Sequence, residues 1–380
     1  MRLHILAALI LAGCGVSNDP ILGGNSASAQ ADRPGFEVQE LAQFKEPWAM
    51  AFLPGTNQAL ITEKAGRLLL WSEDSAAVEV AGTPKVDYGG QGGLGDIVPH
   101  PDFARNRLVY LSWVEAGEND TRGAVVGRAR LATDGGPRLD GLAVIWRQDP
   151  KVTGRGHYSH RIAFAPDGHL FITSGERQKF TPAQDMNQNL GKVIRLTDTG
   201  DVPKDNPFAT QGAIASQIWS LGHRNLLGIA FAPDGRLWTH EMGPKGGDEV
   251  NLIERGSNYG YPIVSNGSHY DGKDIPDHDS RPEFNAPEVW WNPAISPAGM
   301  IVYSGGMFPA WQGDILMGAL SGQALIRVDV DGARAAKGDQ WDMDRRIREV
   351  EQGPDGSVYL LEDERNGVGG KLLKLAPVGG

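Results

Sequence analysis

The chain has 380 residues, 40% hydrophobic and 22% charged, which supplies a sizeable core and lies far from the composition of a disordered chain. Its 51 Gly and 24 Pro, about one residue in five, exclude a mainly helical protein. Acids outnumber bases 47 to 36, for a net charge of -11, and no Lys/Arg cluster is there to neutralise a run of phosphates, so nucleic acid is excluded as a partner.

Met1-Arg2 opens an apolar run over residues 5–12, too short to span a bilayer but the length of a signal-peptide core. The run ends in Leu11-Ala12-Gly13-Cys14, which resembles the lipobox where bacterial lipoproteins are cleaved and acylated. Cys14 is the one cysteine of the chain, so no disulfide is available and the fold must be held by its core. The alternative is ordinary secretion with cleavage after Ala27-Ser28-Ala29; both readings export the protein, the first to a lipid-anchored periplasmic location. Membrane contact is expected only through a lipid on Cys14, since no apolar run of spanning length follows. Residues 1–14 thus read as a lipoprotein-type signal peptide, 15–34 as a flexible tether rich in Ser, Asn, Gly and Ala, and 35–380 as one folded domain.

Beyond the tether one pattern recurs, an apolar strand, a Pro-Asp-Gly turn and a second bulky strand. Loose copies lie at residues 50–62 and 97–110, and clear ones at 162–173, 229–239 and 350–361, with turns Pro166-Asp167-Gly168, Pro233-Asp234-Gly235 and Pro354-Asp355-Gly356. Proline fixes φ and Asp-Gly supplies the bend, so each copy is a β-hairpin with a turn mechanism. Pro166 and Pro233 are about 67 residues apart, and the other spacings are near twice that, which divides the exported chain into six units. The expected fold is all-β, a six-bladed β-propeller of four-stranded antiparallel blades, with a sandwich or solenoid as the alternative. Propellers bind ligands at the mouth of the central channel, so the loops between blades are where chemistry is expected.

In chain order, those loops carry polar residues that turn chemistry does not require. Gln91 lies in the Gly-rich segment 89–95, and His157 and His160 in residues 154–161, each just before a strand. Arg224 and Asn225 end the segment 221–225, again ahead of a strand, so closure of the propeller brings these residues to one face. Glu241, Asp248 and Glu249 follow the fourth hairpin in a Gly/Pro-rich stretch with exposed carbonyls, a hard-oxygen set of the kind Ca²⁺ takes, though structural carboxylates explain it equally. Arg346 and Arg348 alternate along a strand and so share a face, where two guanidinium forks hold carboxylates bidentately.

The order and density of these segments, together with residues 100–103 (HPDF), 191–196 (GKVIRL) and 203–207 (PKDNP), resemble the family of soluble PQQ-dependent sugar dehydrogenases, the glucose and aldose sugar dehydrogenases. The likeness runs from about Glu46 to Leu375 and is nearer the aldose enzymes, whose loops are shorter. It implies oxidation of the C1 hydroxyl of aldose sugars to the lactone, by hydride transfer to PQQ, with an external electron acceptor. His157 is then the general base, Gln91 positions sugar and base, and Arg224 and Asn225 sit by the quinone. Arg346 and Arg348 hold PQQ carboxylates, Trp291 is a cofactor wall, Gly243 and Pro244 offer carbonyls to a Ca²⁺, and Glu249 and the Tyr259 carbonyl bind a second Ca²⁺. One departure is Ser321, which stands where the glucose enzymes carry a cofactor-binding Lys. Two other readings stay open, a propeller that only binds a protein or glycan, and a calcium-dependent lactonase.

Overall fold

A computed structural model describes residues 35–379; the segments expected to be a signal peptide and a tether, with Cys14, lie outside the described residues. Six four-stranded antiparallel sheets follow one another around a closed ring. The first blade is Pro47–Phe52, Ala59–Glu63, Arg67–Ser72 and Ser75–Glu79; the second is Leu94–Pro99, Leu108–Ala116, Arg122–Ala132 and Arg138–Arg147. The third comprises Ser159–Phe164, Leu170–Ser174, Lys192–Leu196 and Ile218–Leu221, and the fourth Leu226–Phe231, Leu237–Glu241, Asp248–Ile253 and Val289–Trp291. Pro297–Val302, Ile315–Ala319, Ala324–Asp331 and Arg334–Asp342 make the fifth. The sixth takes Ile347–Gln352, Val358–Glu362 and Lys371–Pro377 from the end of the chain and its outermost strand, Phe36–Gln43, from the beginning. The six-bladed propeller expected from the repeat period is the fold, and this splice of the two chain ends closes it.

The three clear turn copies are geometrically alike. In the first, Gly168 N–H donates to Ala165 O at 2.9 Å and Ala165 N–H to His169 O at 2.9 Å, with Gly168 at φ +86°, a conformation only glycine takes without strain. Gly235 and Gly356 repeat it at φ +87° and +85°. Between blades, apolar side chains meet from two neighbouring sheets, as Trp48 and Leu60 of the first blade meet Ile97, Leu111 and Trp113 of the second. Each further junction has its own cluster, so both faces of every blade are covered and the burial of apolar surface, not a disulfide, closes the ring.

Antiparallel pairing places the start of each innermost strand beside the end of the second strand. Ser159 faces Ser174, Leu226 faces Glu241 and Ile347 faces Glu362. Two families of loops therefore converge on one mouth of the channel, those entering the first strand and those leaving the second.

Candidate active site

His157 sits in a loop whose backbone is left-handed at His157, Ser159 and His160, with φ of +50°, +58° and +55°. Such conformations are strained for residues with a Cβ and persist only where surrounding contacts enforce them. The enforcing group is Arg177, a fully buried guanidinium that spans the loop from within. It donates to Gly156 O at 2.9 Å, Arg122 O at 2.6 Å and Gly154 O at 2.6 Å, and lies 3.8 Å from the centre of the Tyr158 ring. Desolvation pulls its pKa down to about 10, still charged at neutral pH. Gln91 fixes the same loop from outside, its Oε1 accepting the His157 N–H at 2.7 Å.

The His157 imidazole is buried and its Nδ1 is hydrogen-bonded to Glu176 Oε1. The other oxygen of Glu176 accepts the backbone N–H of Lys179 at 2.5 Å and of Phe180 at 2.6 Å, so the carboxylate is locked in place. Burial alone would raise Glu176, but the His157 and Phe180 hydrogen bonds hold it below the ordinary carboxylate range. For His157, burial dominates and lowers its pKa below the ordinary histidine value, despite the opposing pull of Glu176. The result is a neutral imidazole at pH 7 with its Nδ1 tied to an anion and its Nε2 free to take a proton. His160, by contrast, is a packed histidine: it stacks on Trp48 at 5.0 Å, bonds Ser112 Oγ at 2.7 Å, and burial lowers it to about 3.

Arg224 faces His157 across a cavity of about 260 Å³ that Glu176, Phe180, Tyr261 and Tyr270 also line. Its Nη1 donates to Met242 O at 2.8 Å and Gly243 O at 2.5 Å, while its Nε is buried without a partner. An unpaired guanidinium N–H at a buried position is costly unless a ligand oxygen accepts it. Asn225 turns into an adjoining cavity of about 660 Å³, shared with Gln91, Ser159, Ser321, Arg346 and Arg348. There Arg346 and Arg348 do share a face, and both bind one carboxylate: Arg346 Nε is 2.9 Å and Arg348 Nη2 2.7 Å from Asp363. Burial would raise Asp363, but Arg348 and Arg346 hold it well down, so the pair remains net cationic.

Behind the Arg224 loop lies a small pocket lined by Gly243, Pro244, Glu249 and Tyr259. Two acids, Glu241 and Glu249, line it and Asp248 lies next to it in sequence, and the three differ in what they do. Asp248 is a staple, accepting Gly243 N–H at 2.8 Å and the N–H groups of Ile295 and Ser296 at 2.7 Å. Glu241 accepts from His223 Nδ1 at 2.9 Å and from Arg224 N–H at 2.5 Å. Only Glu249 is left with a single long contact, 3.4 Å from Asn251 Nδ2, and burial beside Glu241 pushes it well above the usual carboxylate range. A buried carboxylate so poorly partnered fits a cation better than it fits a turn. The Tyr259 carbonyl lies 3.2 Å from His278 Nε2.

Trp291 corrects the sequence reading. It lines neither cavity but packs in the junction of the fourth and fifth blades with Trp238, Val250 and Met317, because alternation along Val289–Trp291 turns Trp290 outward and Trp291 inward. The aromatic side chains that do line the larger cavity include Trp48 and Tyr158. Asp248 likewise is no metal ligand in this arrangement. The residues missed are Glu176, Arg177 and Asp363, each at or just past the end of a second strand, Ser174 or Glu362.

The sequence model of the family described as "Glucose / Sorbosone dehydrogenase" matches residues 44–374. The chain belongs to this family of sugar dehydrogenases. It is 39% identical over 339 residues to "Aldose sugar dehydrogenase YliI" of Escherichia coli (strain K12), across 87% of this chain and 90% of that protein. A crystal structure described as glucose dehydrogenase superposes with a TM-score of 0.85 at 43% identity, covering 89% of this chain and 99% of the other. The PQQ-bound aldose sugar dehydrogenase of Streptomyces coelicolor superposes with a TM-score of 0.74 at 25% identity, over 90% of this chain and 98% of that one. The family and fold expected from the motifs are those found.

Proposed function

We propose that this family member is an exported, PQQ- and Ca²⁺-dependent aldose dehydrogenase that oxidises the C1 hydroxyl of an aldose to the lactone. The observation that carries the reading is that a neutral, carboxylate-anchored His157 and the Arg224 side chain line one cavity. PQQ supplies an electrophilic quinone that accepts a hydride. His157 Nε2 takes the C1 hydroxyl proton as the hydride leaves C1, and Glu176 stabilises the imidazolium formed. The Arg224 guanidinium, with Asn225 next to it in sequence, would stabilise negative charge on a bound quinone. Gln91 keeps His157 in position through the backbone rather than by touching the reacting atoms.

The donor set suits a tricarboxylate quinone, since Arg346 and Arg348 bring two positive charges against the single negative charge of Asp363. Carbonyls of Gly243 and Pro244 would hold one Ca²⁺, and Glu249 with the Tyr259 carbonyl a structural one. Reoxidation falls to an external acceptor, and a lipid on Cys14 would keep the enzyme on a periplasmic membrane face.

Dye reduction by a panel of aldoses should require both PQQ and Ca²⁺; turnover indifferent to either, or none in folded protein, overturns the reading. Within it, His157→Ala should cost about 10² to 10⁴ in kcat while PQQ still binds.

A further inference from the structure

Gln148 is a buried amide that lines neither mouth cavity. It follows the outermost strand of the second blade, and two of its groups engage Ala124 of the neighbouring strand. Its backbone N–H donates to Ala124 O at 2.8 Å, and its side-chain Oε1 accepts the Ala124 N–H at 2.8 Å. The side-chain oxygen thus stands in for a ladder carbonyl, which fixes one end of the amide. Asn189 holds the backbone on both sides of it, accepting the Asp149 N–H at 2.7 Å and donating to Arg147 O at 2.9 Å. The other end crosses to the third blade, where Nε2 meets Tyr158 O at 3.1 Å, Ser174 Oγ at 3.0 Å and Gly175 O at 3.4 Å.

Tyr158 follows His157 in the chain and Gly175 precedes Glu176, so one amide reaches both loops that bring the base and its carboxylate together. Those loops touch each other only by long backbone bonds, Gly175 N–H to Tyr158 O at 3.2 Å and Arg177 N–H to His157 O at 3.3 Å. Their approach is close, since a Cβ on Gly175 would stand 2.1 Å from His157 O. Satisfying a stray carbonyl does not explain the amide, because Tyr158 O already accepts the Gly175 N–H. Arg177 braces the His157 loop at Gly154 and Gly156, whereas Gln148 joins that loop to the one carrying Glu176. We infer that Gln148 is a positioning residue for the oxidation: it sets the contact between His157 and Glu176 by holding their two loops at one spacing, and touches neither sugar nor cofactor. The reaction it serves is that of the aldose dehydrogenase reading, on which this inference rests.

The test is a double-mutant cycle of Gln148→Met and Glu176→Gln in the holoenzyme. Methionine keeps the volume and removes both donor and acceptor. With Glu176 present, it should lower kcat for the aldose turned over fastest about 10- to 100-fold, while KM changes less than about twofold, because the displaced group is the base and not a sugar contact. In the Glu176→Gln background the same change should cost less than about threefold. Equal losses in the two backgrounds, or a loss confined to KM or melting temperature, overturn the inference. A second arm needs no turnover and so separates failure of the clamp from failure of the dehydrogenase reading. Ring ¹⁵N titration of His157, assigned by the resonance missing in His157→Ala, gives the change in its pKa on Glu176→Gln. That change should shrink in the Gln148→Met background; a change of the same size in both backgrounds overturns the clamp even if no aldose is oxidised. Should Gln148→Met fail to fold, Gln148→Asn, one methylene too short to span from Ala124 to Tyr158, enters both arms with the same expected outcomes.

Discussion

The two ends of the central channel are walled by the same six innermost strands and treat charge in opposite ways. At the mouth, Arg224 keeps an unpartnered N–H, Arg346 and Arg348 divide one carboxylate, and His157 is neutral with a free nitrogen. At the other end, a cavity of about 310 Å³ reaches innermost strands of all six blades, and its one cation, Arg161, is held by two of its three carboxyl groups. Arg161 donates to Asp96 at 3.2 Å, Glu349 at 2.5 Å and Leu227 O at 2.9 Å, with Trp48 stacked 4.0 Å away. Asp96 in turn accepts the Ile162 N–H at 2.8 Å. The mouth keeps arginines beside cavities that a ligand could fill, whereas at the other end Arg161 ties the innermost strands of the second, third, fourth and sixth blades together. The same contrast predicts that substitutions at the two ends fail in different assays.

The largest effect is expected at the Arg161 end. Arg161→Met keeps the contact with Trp48 but leaves Asp96 and Glu349 buried without their cation, which should cost about 3 to 5 kcal/mol of stability. Burial already raises Glu349 to about 7 and, with Glu349 beside it, Glu351 to about 8. Carboxyls raised in this way bind protons more tightly folded than unfolded. Their contribution is full below the ordinary carboxylate pKa and is lost as pH rises through about 7 to 8. Denaturation of the variant should therefore worsen more steeply than that of the parent between pH 6 and about 9. A denaturant midpoint matching the parent across that range would break the comparison.

At the open end the matching test is Glu176→Gln, which preserves shape and removes the charge that steadies the imidazolium. A lost charge-assisted hydrogen bond of about 1.5 to 3 kcal/mol corresponds to roughly 10- to 150-fold in kcat/KM, with little change in melting temperature. The pH profile separates this from simple misfolding. His157 must be neutral to act, and burial already lowers it, so the acid limb of the parent lies below the ordinary histidine pKa. Glutamine removes the one strong influence that raises His157, so the limb should move to still lower pH while the plateau falls. A limb that moves upward would contradict the assignment of His157 as the base anchored by Glu176.

Most of this architecture was legible because hairpins write themselves locally. Pro166, Asp167 and Gly168 are adjacent in sequence, and so are their counterparts one and three blades away. Gln91, His157, Arg224 and the Arg346 and Arg348 pair were legible for the same reason, each ending a loop that enters an innermost strand. What stayed hidden depends on antiparallel register. Ser174 meets Ser159 only once the hairpin closes, which brings Glu176 and Arg177 under the His157 loop; Glu362 meets Ile347 in the same way and delivers Asp363 to the two arginines. The repeat frame contained this signal, because every loop that leaves a second strand must reach the same mouth. Closure by Phe36–Gln43 had no local mark, since its partner Lys371–Pro377 is at the other end of the chain. Trp291 failed for a different reason: a tryptophan near a site suggests a wall, while the phase of a three-residue strand decides which side it faces.

Ser321 gives the smallest and sharpest test. It follows the second strand of the fifth blade, the position from which Glu176 and Asp363 reach the mouth in the third and sixth, and it borders the 660 Å³ cavity. Its hydroxyl is engaged with Ser296 Oγ at 2.8 Å and Ala294 O at 3.3 Å, a hydrogen-bonded rim that carries no charge. If positive charge at the open mouth exists to hold an anionic cofactor, Ser321→Lys should tighten PQQ binding. Since the position is solvent-exposed, the gain should be modest, about two- to fivefold, and should shrink as salt is added. Fluorescence titration of the apo chain with PQQ at low and high ionic strength measures both. Unaltered affinity at low salt would mean that Arg346 and Arg348 already satisfy the anionic groups, and that the mouth is less short of charge than its contrast with the Arg161 end implies.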